Sequence, residues 1–294
     1  MKNINIHTGW IRTIILMLFV LFGMQLWAQK MLLSPAENKI KPKRHPYTKQ
    51  LRGPEDIRQA PKNKGNYEKL LVILVDFQEE IVDDPLSTGN GKFQLEPDPT
   101  YLYTIAAPPH NQEYFEANLE AMRHYYLAVS AGAYNLSYDV WPKDKSAYTL
   151  PQSMAYYNPV GISSAEFVAK MEEYFTTAFQ TADSDDPELD FSAYAHYMII
   201  HAGSDWQHDV LGDTPVDLPS FFIRVPEEKK VLVDNGQTAI YHACNVPATI
   251  SQDFSVSSEA GVNVHSGYGA LNSVMFHEFG HSIGLVDLYN VRNF

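Results

Sequence analysis

The chain reads as a mixed α/β layer structure. A continuous apolar run at residues 69–77, bounded by charged residues, has the pattern of a strand buried on both faces. Two later stretches carry apolar residues three and four apart, as helices with one buried face do. A third helical stretch lies near the end of the chain, after further strand-like segments. Helices and strands therefore alternate along the 294 residues, with no internal repeat.

The elements follow in order. After the first strand, the segment to about residue 110 is rich in Pro, Gly and Asp and is expected to be loop. Phe115, Leu119, Met122, Tyr126 and Val129 place a helix over residues 113–129. Leu136, Tyr138 and Val140 alternate within residues 134–141, a strand with one apolar side. Ser163 and Glu166 form a capping-box pattern at the head of a second helix, which runs through Phe167, Met171, Tyr174, Phe175 and Ala178. Residues 197–201 read as a strand. Residues 231–233 and 238–241 flank Asp234-Asn235-Gly236, a hairpin turn. The last helix buries Met275, Phe279 and Ile283, with Phe276 beside them.

Residues 1–28 have the layout of a secretory signal. Lys2 and Arg12 precede or open an apolar run over residues 14–26, and Ala28 offers a small residue for cleavage. The run is short for a membrane span, so an exported protein with no stable membrane anchor is expected. Cys244 is the one cysteine, which leaves no internal disulfide and reads as a buried thiol rather than a latency ligand. Residues 30–64 hold ten Lys/Arg against three Asp/Glu, and from residue 65 the balance inverts to ten against 32. A basic, proline-punctuated leader ahead of an acidic body is read as a pro-segment that opposite charge could draw over the catalytic face. The plainer reading is a flexible linker. The formal net charge of −13 argues against nucleic acid as a partner.

The most informative run is His277-Glu278-Phe279-Gly280-His281-Ser282-Ile283-Gly284-Leu285-Val286-Asp287. On a helix, residues four apart share a face, so His277 and His281 can aim two imidazoles at one metal ion. Glu278 sits about 100° around the same helix, placed to reach a water at the metal without ligating it. Gly284 can leave the helix through a left-handed cap and let Asp287 fold back as a third ligand. Asp287 is the sole carboxylate side chain among the residues after His281; a donor from upstream is the alternative. Three protein ligands and an open position describe a catalytic zinc site, whereas structural sites are closed by four.

Four segments occur in one order: Leu70-Leu71-Val72-Ile73-Leu74-Val75-Asp76-Phe77, His124-Tyr125-Tyr126 followed by Ser130-Ala131-Gly132, Ile199-Ile200-His201-Ala202-Gly203, and the run from His277 to Tyr289. In that order they resemble the metzincin-like zinc peptidases, and more closely the secreted bacterial immune inhibitor A family (peptidase family M6). The resemblance spans about residues 67 to 291. It implies a metzincin-like catalytic domain over residues 67–294, behind a signal at 1–28 and a leader at 29–66, with a twisted mixed sheet, a backing helix and an active-site helix. It implies a secreted zinc endopeptidase, made as a zymogen and acting as a monomer on proteins or peptides, with Zn2+ on His277, His281 and Asp287 and Glu278 as general base. Such peptidases carry a methionine turn and a C-terminal subdomain beyond the third ligand. Only seven residues follow Asp287 here, so the chain is expected to be a fragment of a longer protein.

Other residues carry weaker signals. Asp183, Asp185, Asp186, Glu188 and Asp190 form an acidic loop that is a candidate Ca2+ site by its oxygen content and the resemblance, or simply a solvated turn. Glu37, Glu55 or Asp56 could cap the metal in a latent form, and nothing selects among them. His201, His208, His242 and His265 could be proposed as ligands or oxyanion donors, but the structural reading is preferred for each; Tyr289 is expected to pack under the site. The competing functional reading is a non-catalytic secreted binding or adhesion protein in which zinc only ties down the last helix.

Overall fold

The computed structural model describes residues 45–52, 68–81, 84–99, 106–209, 211–250, 256–259, 262–265 and 270–287. The signal-like residues 1–28, the leader carboxylates Glu37, Glu55 and Asp56, and Tyr289 lie outside them.

The predicted mixed α/β architecture is what the chain adopts. Ten strands are described: β1 (Lys69–Asp76), β2 (Ser137–Trp141), β3 (Tyr148–Thr149), β4 (His196–His201), β5 (Phe221–Arg224), β6 (Val231–Val233), β7 (Thr238–Ile240), β8 (His242–Pro247), β9 (Val256–Glu259) and β10 (Val262–His265). The three long helices are α1 (Gln112–Val129), α2 (Ser164–Asp185) and α3 (Leu271–Ser282). Six strands form one sheet in the order β2-β1-β4-β8-β5, with β3 pairing further along β1. All neighbours are parallel except β5, which runs antiparallel to β8 at the edge. β6 and β7 form a separate hairpin, as do β9 and β10.

Alternation along the central strands assigns the layers. On β4, His196 meets Ser282 of α3, while the next residue, Tyr197, meets the Phe179 ring of α2 at 5.7 Å. On β8, Asn245 accepts from Tyr174 of α2. α1 and α3 therefore cover one face of the sheet and α2 the other. Both faces are apolar and every residue from Leu70 to Val75 is buried, as a parallel sheet with helices on both sides requires.

Local signals held where they were strong. The capping box at Ser163 and Glu166 is formed, with the Ser163 hydroxyl accepting from the Glu166 N–H and the Glu166 carboxylate accepting from the Ser163 N–H. Asp234 and Asn235 both take positive φ in the predicted hairpin turn. The strand predicted to open at residue 134 opens at Ser137 instead. The Tyr134 N–H is held by the Ser130 hydroxyl in the turn that follows α1, so pairing with β1 starts only where Ser137 meets Lys69. β5 and β8 carry no clear strand pattern in the sequence. In β8 the polar His242 and Asn245 interrupt the apolar run; Asn245 is tolerated because Tyr174 donates to its carbonyl and its amide donates to the Pro219 carbonyl.

Part of the stretch read as leader belongs to this core. Residues 48–52 form a short 3₁₀ turn against β5 and α2, and Leu51 is buried. His45 stacks on Phe167 at 4.3 Å and meets Trp206 edge-on at 4.9 Å.

Candidate metal centre

α3 is clamped along its back. Leu271, Met275 and Phe279 are buried against α1, β8 and β5, the face predicted to be apolar. The Tyr126 hydroxyl of α1 donates to the Phe276 carbonyl at 2.6 Å. A Cβ at Gly280 would stand 3.2 Å from that hydroxyl, so the glycine lets a side chain from α1 reach the helix backbone.

On the opposite face, the His277 and His281 rings lie 4.9 Å apart and almost perpendicular. Their Nε2 atoms are 3.3 Å apart. Asp287 Oδ1 lies 3.3 Å from the first and 3.4 Å from the second. These spacings are long for hydrogen bonds, which cluster at about 2.7–3.2 Å. They match the edges of a tetrahedron around an ion with bonds of about 2.0–2.1 Å, which are about 3.3–3.4 Å. The residues present therefore fit a divalent metal. His281 and Asp287 are nearly covered, whereas the His277 side chain is 40% exposed; one side of the triangle faces solvent.

The turn after the helix builds this triangle. Leu285 N–H donates to Gly280 O at 2.8 Å and Gly284 N–H to His281 O at 3.0 Å, the paired bonds of a Schellman cap. Gly284 takes φ +91°, a conformation open to glycine and costly for other residues. The cap reverses the chain so that the Leu285 carbonyl accepts from His281 Nδ1 at 2.9 Å. With its proton on Nδ1, the ring presents a lone pair at Nε2, the nitrogen of the triangle. Two residues later Asp287 arrives as the third vertex.

Glu278 is buried between this face and the sheet. His277, Glu278 and His281 bring one ligand atom each within 4.8 Å of one another. The three-way spacing with Asp287 is tighter, so Asp287 rather than Glu278 stands at the third vertex of the triangle. Behind Glu278 lies the fully buried Cys244, whose thiol is pushed well up by burial and then by the Glu278 charge. The predicted buried thiol is therefore what the structure shows.

The other candidates do not join the centre. His201, at the end of β4, is fully buried, and burial lowers its pKa to about 4. His242 opens β8 and is held at about 3, again chiefly by burial. His208 pairs with Asp205 at 2.5 Å. The His265 side chain lies outside the described residues. The acidic loop does not converge on a point. Asp183 accepts from the Asp234 N–H, Asp185 pairs with Lys145, Asp186 accepts from the Tyr148 hydroxyl and Asp190 from Ser192. Nothing in that loop assembles a calcium cage among the described residues.

No protein-family model matches the chain, and no curated protein is significantly similar to it. Among the described residues, no helix is long and apolar enough to cross a membrane. Next to His281, Ser282 Oγ lies 2.7 Å from Nδ1 of His196 on β4, a contact that nothing in the sequence pattern signals.

Proposed function

We propose that the chain is an exported zinc-dependent endopeptidase with a metzincin-like catalytic domain. The observation that carries this reading is the triangle of His277 Nε2, His281 Nε2 and Asp287 Oδ1, with edges of 3.3–3.4 Å and an exposed side. Two imidazoles and one carboxylate, with a position left over, are the donor set of a catalytic zinc. Bound there, zinc would supply Lewis-acid polarisation of a carbonyl and acidify a coordinated water.

The chain's own residues account for the rest. A carboxylate oxygen of Glu278 takes the proton of the attacking water and returns it to the leaving amine nitrogen. Its burial beside Cys244 holds it away from bulk solvent on the helix that carries both histidines.

The substrate edge in this reading is β5, the antiparallel edge strand, against which the 48–52 turn also packs. The Val225 N–H donates to Tyr241 O at 2.8 Å, which sets the phase of the antiparallel pair. Residues 221 and 223 then turn their peptide groups toward β8, and Phe222 and Arg224 turn theirs outward. The Gln207 side chain already pairs with both backbone groups of Ser220, at 2.5 and 2.8 Å. Phe222 itself lies 6.2 Å from the His281 ring. An extended peptide added to this edge runs beside the metal ligands.

The test is casein hydrolysis by the zinc-loaded chain, with and without a chelator, beside Glu278→Gln. Chelator-sensitive cleavage that Glu278→Gln abolishes while keeping its zinc is the expected result. Zinc binding without any cleavage returns the chain to a structural-metal protein; absence of zinc binding removes the reading altogether.

A further inference from the structure

The end of α3 is tied to the sheet by a buried polar chain that neither packing nor the proposed chemistry calls for. His196, the first residue of β4, is 1% exposed and uses both ring nitrogens. Its Nε2 lies 2.9 Å from Glu68 Oε2, immediately before β1, and its Nδ1 lies 2.7 Å from Ser282 Oγ, the last residue of α3. Ser282 is itself buried and directly follows His281. The rest of β4 is mostly apolar and buried, and an apolar residue at 196 would fill the same space. A histidine at a buried strand start is costly unless both nitrogens are satisfied; here they bridge two parallel strands to a helix end.

We infer that Glu68, His196 and Ser282 form a positioning relay that fixes the last turn of α3, and with it the direction of His281 and the start of the turn that delivers Asp287. This rests on the metal reading above. An ionised Glu68 has no proton to give, so His196 Nε2 donates to it. In a ring carrying one proton, Nδ1 then accepts the Ser282 hydroxyl. The hydrogen bond to His196 lowers the Glu68 pKa, the largest of its influences. The ring is thus pinned from the strand side and pins the helix from the other. Three residues separated by 86 and 128 positions hold the segment on which a 3.3–3.4 Å triangle depends. A shift of that turn by an ångström would open the triangle. Outer partners of metal ligands act through orientation in this way.

The experiment titrates the full chain with Co2+, whose visible absorption reports four-coordinate geometry, and takes the affinity from competition with a chromophoric chelator. Melting of the metal-free protein is measured in parallel. Ser282→Ala and His196→Gln, which keeps a donor toward Glu68 but has no group at the Nδ1 place, are each expected to bind Co2+ about tenfold more weakly or worse, with an altered spectrum. Tyr194→Phe serves as a control: it removes a part-buried hydrogen bond to Asp139 that involves neither the ligands nor the three relay residues and is expected to leave Co2+ affinity unchanged whatever it does to melting. Should His196→Gln fail to fold, Ser282→Ala decides alone. Wild-type affinity and spectrum in Ser282→Ala overturns the relay while leaving the metal centre intact. A wild-type chain that binds no Co2+ removes the metal reading, and the relay with it.

Discussion

His281 Nδ1 and the carbonyl oxygen of Leu285 are 2.9 Å apart. The turn that ends α3 therefore also orients the second histidine of the centre, through a residue only four positions further on. Helix capping and the orientation of His281 are one structure here, so backbone changes in the cap should be felt at the candidate metal site.

Gly284→Ala tests that link. At φ +91° an alanine costs about 1–2 kcal/mol, and relief of the strain moves Leu285 off His281. The metal-free melting temperature should fall by a few degrees, about 2–4 °C for each kcal/mol in a chain of this size. The rise in melting temperature on adding zinc should shrink as well. An undiminished rise would separate the cap from the centre.

Asp287→Ala removes one vertex without touching the core. Zinc at about a hundred times its dissociation constant stabilises a folded protein by about 2.7 kcal/mol. Calorimetry with and without zinc should show that increment in the wild type and most of it lost in the variant, while the metal-free transitions coincide. Equal increments would assign the third ligand to another residue.

Tyr126 and Gly280 should behave as a coupled pair. Tyr126→Phe loses one hydrogen bond, about 1 kcal/mol. Gly280→Ala alone sets a methyl 3.2 Å from the Tyr126 hydroxyl, which offsets the roughly 1 kcal/mol that alanine gains over glycine in a helix. In the double variant the obstruction is gone and the helix gain should emerge. Denaturant unfolding of the four proteins gives the coupling, and strict additivity would contradict the close approach.

Acid should destabilise the fold through three histidines, His201 fully buried and His45 and His242 partly so. Burial holds His45 and His201 at about 4 and His242 at about 3, against 6.5 when exposed. Above pH 6.5 both folded and unfolded forms are neutral and nothing is lost. Between pH 6.5 and about 4 the unfolded chain takes up protons that the fold does not, so stability falls as pH falls. Each histidine contributes a slope of up to about 1.4 kcal/mol per pH unit. His45→Phe keeps a ring on Phe167 and removes one of the three, and should give a shallower decline in unfolding free energy over that window. An unchanged slope would mean that His45 is not held neutral in the fold.

The sequence by itself determined what depends on neighbours in the chain. The four-residue spacing of His277 and His281 puts them on one helical face, Gly284 opens a left-handed cap, and Asp287 lies within reach of the reversed chain. The capping box of α2 and the Asp234-Asn235 turn follow from the same short-range rules. Tertiary structure alone decided which strand is the antiparallel edge, because β5 owes its place to pairing with β8 rather than to its own four residues. It alone brought residues 45–52 into the core, where aromatic stacking on Phe167 and Trp206 outweighs a leader-like composition. It alone joined Glu68, His196 and Ser282. A hydrogen bond across 86 or 128 residues leaves no period in the sequence, since its partners are chosen by how sheet and helices pack and not by the spacing of residues along the chain.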